Sequence, residues 1–271
     1  MPLELHENNG VAYLTSPLLG GVPGIEHAFS TRKGGISPAP HDTLNLGFYS
    51  QDWNDNVTAN WDRFLAAAGC QWHGVWYQNQ CHGVTVREAP EVSGYAVLGE
   101  GDALWTREAG VGLAIVTADC VPVLAATADG RAVAAAHAGW RGMAAGVVEA
   151  TLTDLARGSG AGSGELVVAA GPHIQPCCFE VKDDVAEPFG ERFGQDVVRR
   201  EGGRTTVALG AALRKLLERA GVSSRSIEIS SECTACNPQL YFSYRRDKGR
   251  ERGRLASVIG RAAAGEGRNG R

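Results

Sequence analysis

The strongest constraint on the fold is a succession of short apolar runs that glycines and polar turns cut apart between residues 74 and 137. The runs cover residues 74–78, 84–87, 112–117, 122–126 and 131–137, lengths that suit strands and are too short for stable helices. Helical periodicity flanks them. Residues 55–68 place Val57, Trp61, Phe64, Leu65 and Ala68 on one stripe, with Asp55 or Asn56 as N-cap and Gly69 as the stop. Residues 142–155 do the same with Met143, Val147, Ala150, Thr151 and Leu155. Beyond them the pattern predicts strands over 165–170, 226–230, 241–244 and 255–259, and helices over 183–193 and 209–220. These elements do not alternate regularly as βαβ units, so the expected class is α+β, in layers, rather than a doubly wound sheet.

A chain of 271 residues with 44% hydrophobic and 21% charged residues can bury a sizeable core without disulfide staples. The glycine- and serine-rich stretch 157–164 reads as a loop, so one domain is expected over residues 1–260. Residues 261–271, which are all Ala, Gly, Glu, Arg or Asn, are expected to form a disordered tail. A formal net charge of -4 argues against nucleic-acid partners. Neither a signal peptide nor an apolar run long enough to span a bilayer is visible, which predicts a soluble cytoplasmic protein with no membrane partner. The seven cysteines are odd in number and include the adjacent pair Cys177-Cys178, which suits reduced thiols better than a disulfide framework.

Three residues just past strands or in tight turns carry the chemistry of interest: His82, Cys120 and His137. Two imidazoles and one thiolate satisfy a catalytic zinc site, which leaves a fourth position open. Their spacing is not a local zinc signature, and the plainer readings stay open: a turn-capping His82, a buried Cys120, a hydrogen-bonded core His137. Cys233 and Cys236, with Cys177 and Cys178, form a rival four-thiolate set, although such sites usually use two spaced pairs.

A wider set of motifs makes the chain resemble a known family. They are Phe29-Ser30-Thr31-Arg32 with Gly34-Gly35, Leu44-Asn45-Leu46-Gly47, Gln80 with His82-Gly83, Thr117-Ala118-Asp119-Cys120-Val121-Pro122-Val123, and His137-Ala138-Gly139-Trp140-Arg141-Gly142. Gly171-Pro172 and Phe242-Ser243-Tyr244-Arg245-Arg246-Asp247 complete the set. Together they resemble the YfiH-like purine nucleoside phosphorylase family, also called the laccase-domain or multicopper polyphenol oxidoreductase family. The resemblance implies a layered sandwich of mixed β-sheets flanked by helices, similar to the catalytic domain of cytotoxic necrotizing factor toxins. It implies zinc at His82, Cys120 and His137, and phosphorolysis of adenosine, inosine and methylthioadenosine, with adenosine deamination as a companion activity. Purine nucleosides and phosphate are the implied partners. Two departures stand out: Cys81, where the family usually has Val, and Glu251-Arg252-Gly253-Arg254, where it usually has Thr-Gly-Arg.

Roles follow from residue chemistry. Bound zinc lowers the pKa of its water towards ~7, which suits attack on C6 of adenine, whereas phosphorolysis needs a phosphate dianion beside the ribose. Arg141, at the expected start of a helix, is the first candidate for phosphate; Arg32, Arg245 and Arg246 are others. Asp119 is a candidate to orient an imidazole or act as general base, with a turn-capping Asp as its plain reading; Glu180 is a weaker acid-base candidate. Asn45, Gln80, Trp140 and Phe179 are candidates for substrate contact, the aromatics by stacking on the purine. Two other functions compete. Copper oxidation of phenols fits poorly, because a blue-copper site plus a trinuclear cluster needs more imidazoles than seven histidines provide. Amide hydrolysis in cell-wall precursor editing would use Cys120 as nucleophile and His137 as base.

Overall fold

The structure is a computed structural model that describes residues 2–48, 50–248 and 253–263. In chain order come β1 (Glu4–Asn8), β2 (Val11–Thr15), α1 (Pro17–Gly20), β3 (Ile25–Ser30), α2 (Asn54–Ala68), β4 (Gly74–Asn79), β5 (Val86–Glu88) and β6 (Gly94–Glu100). Then follow β7 (Ala103–Thr106), β8 (Val111–Thr117), β9 (Val121–Thr127), β10 (Val133–Ala138), α3 (Trp140–Ala145), α4 (Val147–Ser159) and β11 (Leu166–Ala170). The rest are α5 (Asp183–Phe193), β12 (Val198–Glu201), β13 (Arg204–Val207), α6 (Leu209–Arg219), β14 (Ile227–Ile229) and β15 (Leu255–Arg261).

Two mixed sheets, ordered β1-β2-β3-β15-β8-β4-β6 and β14-β11-β9-β10-β7-β5, carry the fold, and β12 and β13 form a separate hairpin. In the first, β15 runs antiparallel to β3 and β8, while β4 is parallel to β8 and β6. In the second, β9 pairs antiparallel with β10 and β11, and the outer pairs β5/β7 and β11/β14 are parallel.

The period of two along a strand sorts these sequences into layers. Leu113 and Ile115 of β8, and Leu255 and Ile259 of β15, join Leu124, Ala126, Val133 and Ala135 of the other sheet in a single core between the sheets. The alternate residues face outward. Ala114, Ala256 and Val258 pack with Val57, Trp61 and Phe64 of α2. On the far side Val121, Val123, Ala134 and Ala136 pack with Met143, Val147, Leu152 and Leu155 of α3 and α4, and with α5 and α6. The result is four layers, helix, sheet, sheet, helices, and both sheets are buried on two faces, which is why β8, β9 and β10 read as continuous apolar runs.

Several boundaries differ from the sequence pattern, each for a local reason. The helix expected over 142–155 begins earlier, at Trp140, and is cut by Gly146, whose φ of +104° no helix accommodates. The strand expected over 241–244 is absent: the Tyr241 N–H bonds Asn237 O in a turn, and its carbonyl accepts from Arg246 Nη2, so neither group is left for a ladder. At the start of α2 neither Asp55 nor Asn56 caps; Trp53 holds that position, and Asp52 accepts from the Trp53 N–H and from Asn56 Nδ2. β15 extends through Arg261, whose Nε bonds Gly130 O, so the expected tail does not begin there; residues 264–271 lie outside the described residues. No helix among the described residues is long and apolar enough to cross a membrane.

Candidate functional site

His82 lies in the loop after β4, Cys120 in the turn joining β8 to β9, and His137 near the end of β10. That turn carries the chain from one sheet to the other, so the three residues meet at a rim where the layers connect. Their donor atoms all lie within 4.8 Å of one another. His82 Nε2 stands 3.9 Å from Cys120 Sγ, and the two imidazole rings meet edge to face with centroids 4.8 Å apart.

One buried carboxylate organises this group. Ala136 of β10 faces Ala103 of β7, so one step further in the same register Asp102 faces His137. Asp102 Oδ1 is 2.7 Å from His137 Nδ1, which fixes the ring and leaves Nε2 for the cluster. The same carboxylate accepts the backbone N–H groups of Cys81, His82 and Gly83 at 3.2, 3.0 and 2.7 Å, and so shapes the loop that carries the other imidazole. Burial pushes Asp102 towards protonation, yet the hydrogen bonds from His137 and Gly83 outweigh it and hold the carboxyl at about 2.

Cys120 shows a similar contest. Burial opposes its ionisation, but the charge and hydrogen bonds of His137, followed by those of His82, bring the thiol down to about 6. His137 is driven the other way: burial lowers it, while Cys120 and Asp102 raise it more, and it ends above the ordinary imidazole range.

The backbone is also shaped for the site. His82 and Asp119 adopt φ of +61° and +100°, a region that residues bearing a Cβ seldom occupy. Gly139 keeps a tight approach open, since a Cβ there would stand 2.7 Å from His82 Cδ2 and 3.2 Å from Cys120 Sγ. Two imidazoles and a thiol, with a carboxylate behind one imidazole, form a donor set that fits zinc with one position open.

The cluster opens onto a cavity of about 560 Å³, within the range of small-molecule sites. Trp140, Phe179 and Tyr244 supply its aromatic surface, and Arg141, Arg245 and Arg254 its positive charge. Arg141 stacks 4.3 Å over Trp140, and Arg245 lies over Phe179 while donating to the carbonyls of Cys178 and Glu180. Gln78, 4% exposed, also lines the cavity, and neither atom of its amide has a hydrogen-bond partner among the described residues.

Not every sequence-derived candidate arrives there. Arg32 is spent on Asp42 and on the Pro238 carbonyl, and stacks on Phe242, outside the cavity lining. Asn45 is fully buried and accepts the Arg254 N–H, so it supports a cavity residue without lining the cavity. Gln80 lines the cavity, but its amide is taken by the N–H and carbonyl of Val116. Asp119 does not orient an imidazole, a part Asp102 holds; its carboxylate accepts from Thr234 Oγ1, Ser243 Oγ and the Arg245 N–H. Arg246 is tied to the carbonyls of Thr234 and Tyr241, and Glu180 pairs with Arg204, both away from the cavity lining. Cys81 points its sulfur at Asp102 Oδ2, a hydrogen bond that pushes its thiol up and favours the protonated form, and it stands outside the three-residue donor cluster. Asp102, Gln78 and Arg254 were not among the candidate site residues; only the cross-strand register beside His137 could have pointed to Asp102. Glu251 and Arg252 lie outside the described residues.

Comparison with known proteins finds relatives along nearly the whole chain. The family model described as multi-copper polyphenol oxidoreductase laccase matches residues 26–262. The purine nucleoside phosphorylase of Deinococcus radiodurans is 39% identical over 252 residues, covering 93% of each chain. The purine nucleoside phosphorylase YfiH of Escherichia coli is 36% identical over 240 residues, or 87% of this chain and 93% of that one. Among solved structures, YlmD from Geobacillus stearothermophilus superposes with a TM-score of 0.84 at 29% identity, covering 96% of this chain and 100% of its own.

Proposed function

The chain belongs to the multi-copper polyphenol oxidoreductase laccase family, and on that premise we propose a zinc-dependent purine nucleoside phosphorylase. It cleaves adenosine, inosine and methylthioadenosine with phosphate, and deaminates adenosine as a companion reaction. The observation that carries this reading is the sharing of one cavity by the His82, Cys120 and His137 donors, three arginines and three aromatic side chains.

Zinc would be held by His82, Cys120 and His137 and would supply a Lewis acid there. The protein's own groups do the rest. Arg141, Arg245 and Arg254 present guanidinium donors that match a phosphate dianion and hold it against the ribose. Trp140 and Phe179, each already covered by an arginine on one side, offer faces on which a purine stacks. The unpartnered Gln78 amide has a donor and an acceptor to offer the purine edge. Arg141 works through its side chain, since α3 has only six residues and contributes little dipole to an anion.

Metal analysis of the purified protein, combined with chromatography of adenosine incubated with and without phosphate, tests the proposal. Phosphate-dependent adenine release and ~1 zinc lost in His82→Ala, Cys120→Ala or His137→Ala are expected, with turnover abolished. Arg141→Ala is expected to raise the phosphate requirement with adenosine binding little changed. Full activity in all three ligand variants would remove the metal from the reaction.

A second reading has its own support. Asp102, His137 and Cys120 stand in the order of a carboxylate, imidazole and thiolate nucleophile, as an amidase of cell-wall precursors would need. A trapped acyl group on Cys120 in mass spectrometry would favour it, whereas zinc bound through Cys120 occupies the nucleophile.

A further inference from the structure

Of the six cysteines other than Cys120, four come together: Cys177, Cys178, Cys233 and Cys236, whose Sγ atoms all lie within 4.8 Å of one another. Cys236 Sγ sits between the adjacent pair, 3.5 Å from Cys177 Sγ and 3.3 Å from Cys178 Sγ. All four are free thiols, with Cys233 buried, Cys178 half-buried and the other two exposed. Four sulfurs around one zinc, each at about 2.3 Å, stand about 3.8 Å apart; the two closest contacts here, 3.5 and 3.3 Å, are slightly shorter, and all four sulfurs lie within 4.8 Å of one another.

The local backbone answers the objection that an unspaced pair cannot chelate. In a strand, adjacent side chains point to opposite faces. Here the Gln175 carbonyl accepts from both the Cys178 and Phe179 N–H groups, and the resulting turn brings both sulfurs to the same side, against Cys236. The partner loop is a compact turn in which Cys233 O accepts from Asn237 N and Nδ2. Backbone N–H groups of Gln175, Cys236 and Ala235 hydrogen-bond to Cys233, and although burial opposes it, they favour its thiolate. Burial, and hydrogen bonds with neighbouring sulfurs, push the Cys177 thiol up to about 11 and Cys178 in the same direction. Four such groups cannot all ionise together unless a cation sits among them.

We propose that Cys177, Cys178, Cys233 and Cys236 form a second, structural metal site that takes a single zinc ion through four thiolates. Tetrahedral all-sulfur coordination suits zinc and leaves no position open for substrate, so the site holds structure and performs no turnover. What it holds is the far wall of the cavity. The 175–179 turn leads directly into Phe179, and the segment after Cys236 leads to Tyr244 and Arg245, which reaches back to the Cys178 carbonyl. Thr234, next to Cys233, also donates to Asp119, next to Cys120. A metal at the four sulfurs therefore fastens together the two loops that present Phe179 and Arg245.

Metal analysis after equilibration with Zn²⁺ and removal of the excess tests this independently of the catalytic reading. Cys236→Ser and Cys177→Ser are each expected to contain about one zinc fewer per chain than wild type, and His82→Ala to lose a different equivalent. Co²⁺ substitution is expected to give a strong sulfur-to-cobalt charge-transfer absorption that survives His82→Ala and collapses in Cys236→Ser. Should the serine variants fail to fold, wild-type protein gives the same answer: Zn²⁺ shields all four cysteines from iodoacetamide, and a chelator exposes them. Equal zinc in wild type and Cys236→Ser, labelling of Cys177 and Cys236 that ignores Zn²⁺, or a disulfide among the four in protein purified with zinc would each overturn the proposal. Failure of the cavity site alone would show as an unchanged metal content in His82→Ala.

Discussion

Asp102 carries more of the site than any single ligand. It bonds His137 through one oxygen and the 81–83 backbone through both, so its replacement disturbs two ligands at once. Asp102→Asn keeps the size but removes the charge that balances His137, and partners of this kind are worth about 10–100-fold in metal affinity. Zinc competition against a chromophoric chelator should show a loss in that range, and an affinity equal to wild type would deny the carboxylate its part. The metal-free protein offers a second check through Cys120. Because His137 and His82 bring its pKa down to about 6, the thiolate persists as pH falls below the ordinary thiol range and is lost only near pH 6. Iodoacetamide labelling of Cys120, followed by peptide mass spectrometry, should therefore be half-maximal near pH 6, and His137→Ala should move that midpoint upward. At this scale the ligands were legible, because imidazole and thiolate in turns beside strands advertise metal chemistry. Asp102 was not, because an aspartate between Gly101 and Ala103 looks like any turn residue until β7 is paired with β10. Arg32 misled for the opposite reason: an arginine in a glycine-rich motif resembles a ligand-binding group, and only the fold shows its donors already taken.

Among the elements, those buried on both sides of a sheet were the easiest to read. β8, β9 and β10 are unbroken apolar runs because layers cover both of their faces. β1 and β12 went unrecognised because they are exposed and carry polar residues, so no apolar face marks them. The short α3 was absorbed into a longer expected helix, and its start is where the element meets the site. Gly139 precedes α3 with an ordinary φ of -65°, so alanine there meets no backbone strain and only its Cβ matters. That Cβ would press on the His82 ring at 2.7 Å and Cys120 Sγ at 3.2 Å. Gly139→Ala should therefore weaken zinc binding by about tenfold, as for other groups that position ligands. Melting of the metal-free protein should fall only modestly, since alanine is a poorer N-cap than glycine by about 1 kcal/mol. A large fall in metal-free stability with unchanged zinc affinity would place the clash elsewhere.

Across the whole molecule, the four layers explain why a site assembled from distant segments can be rigid. His82 hangs from one sheet, His137 belongs to the other, and Cys120 sits in the turn between them, so a shared ion would cross-link two sheets that already share a buried apolar core. Ligands that bind only the folded state stabilise it by mass action, about 2.7 kcal/mol when free metal is a hundredfold above its dissociation constant. For a chain of this size each kcal/mol raises the melting temperature by roughly 2–4 °C. Calorimetry of Cys236→Ser, which leaves the cavity site as the one expected zinc site, should thus show zinc raising Tm by about 5–11 °C. Adding His82→Ala to that background should abolish the rise. A rise that survives in the double variant would mean that zinc stabilises the molecule from a place other than the junction of its two sheets, and the rigidity of the junction would then need to come from packing alone.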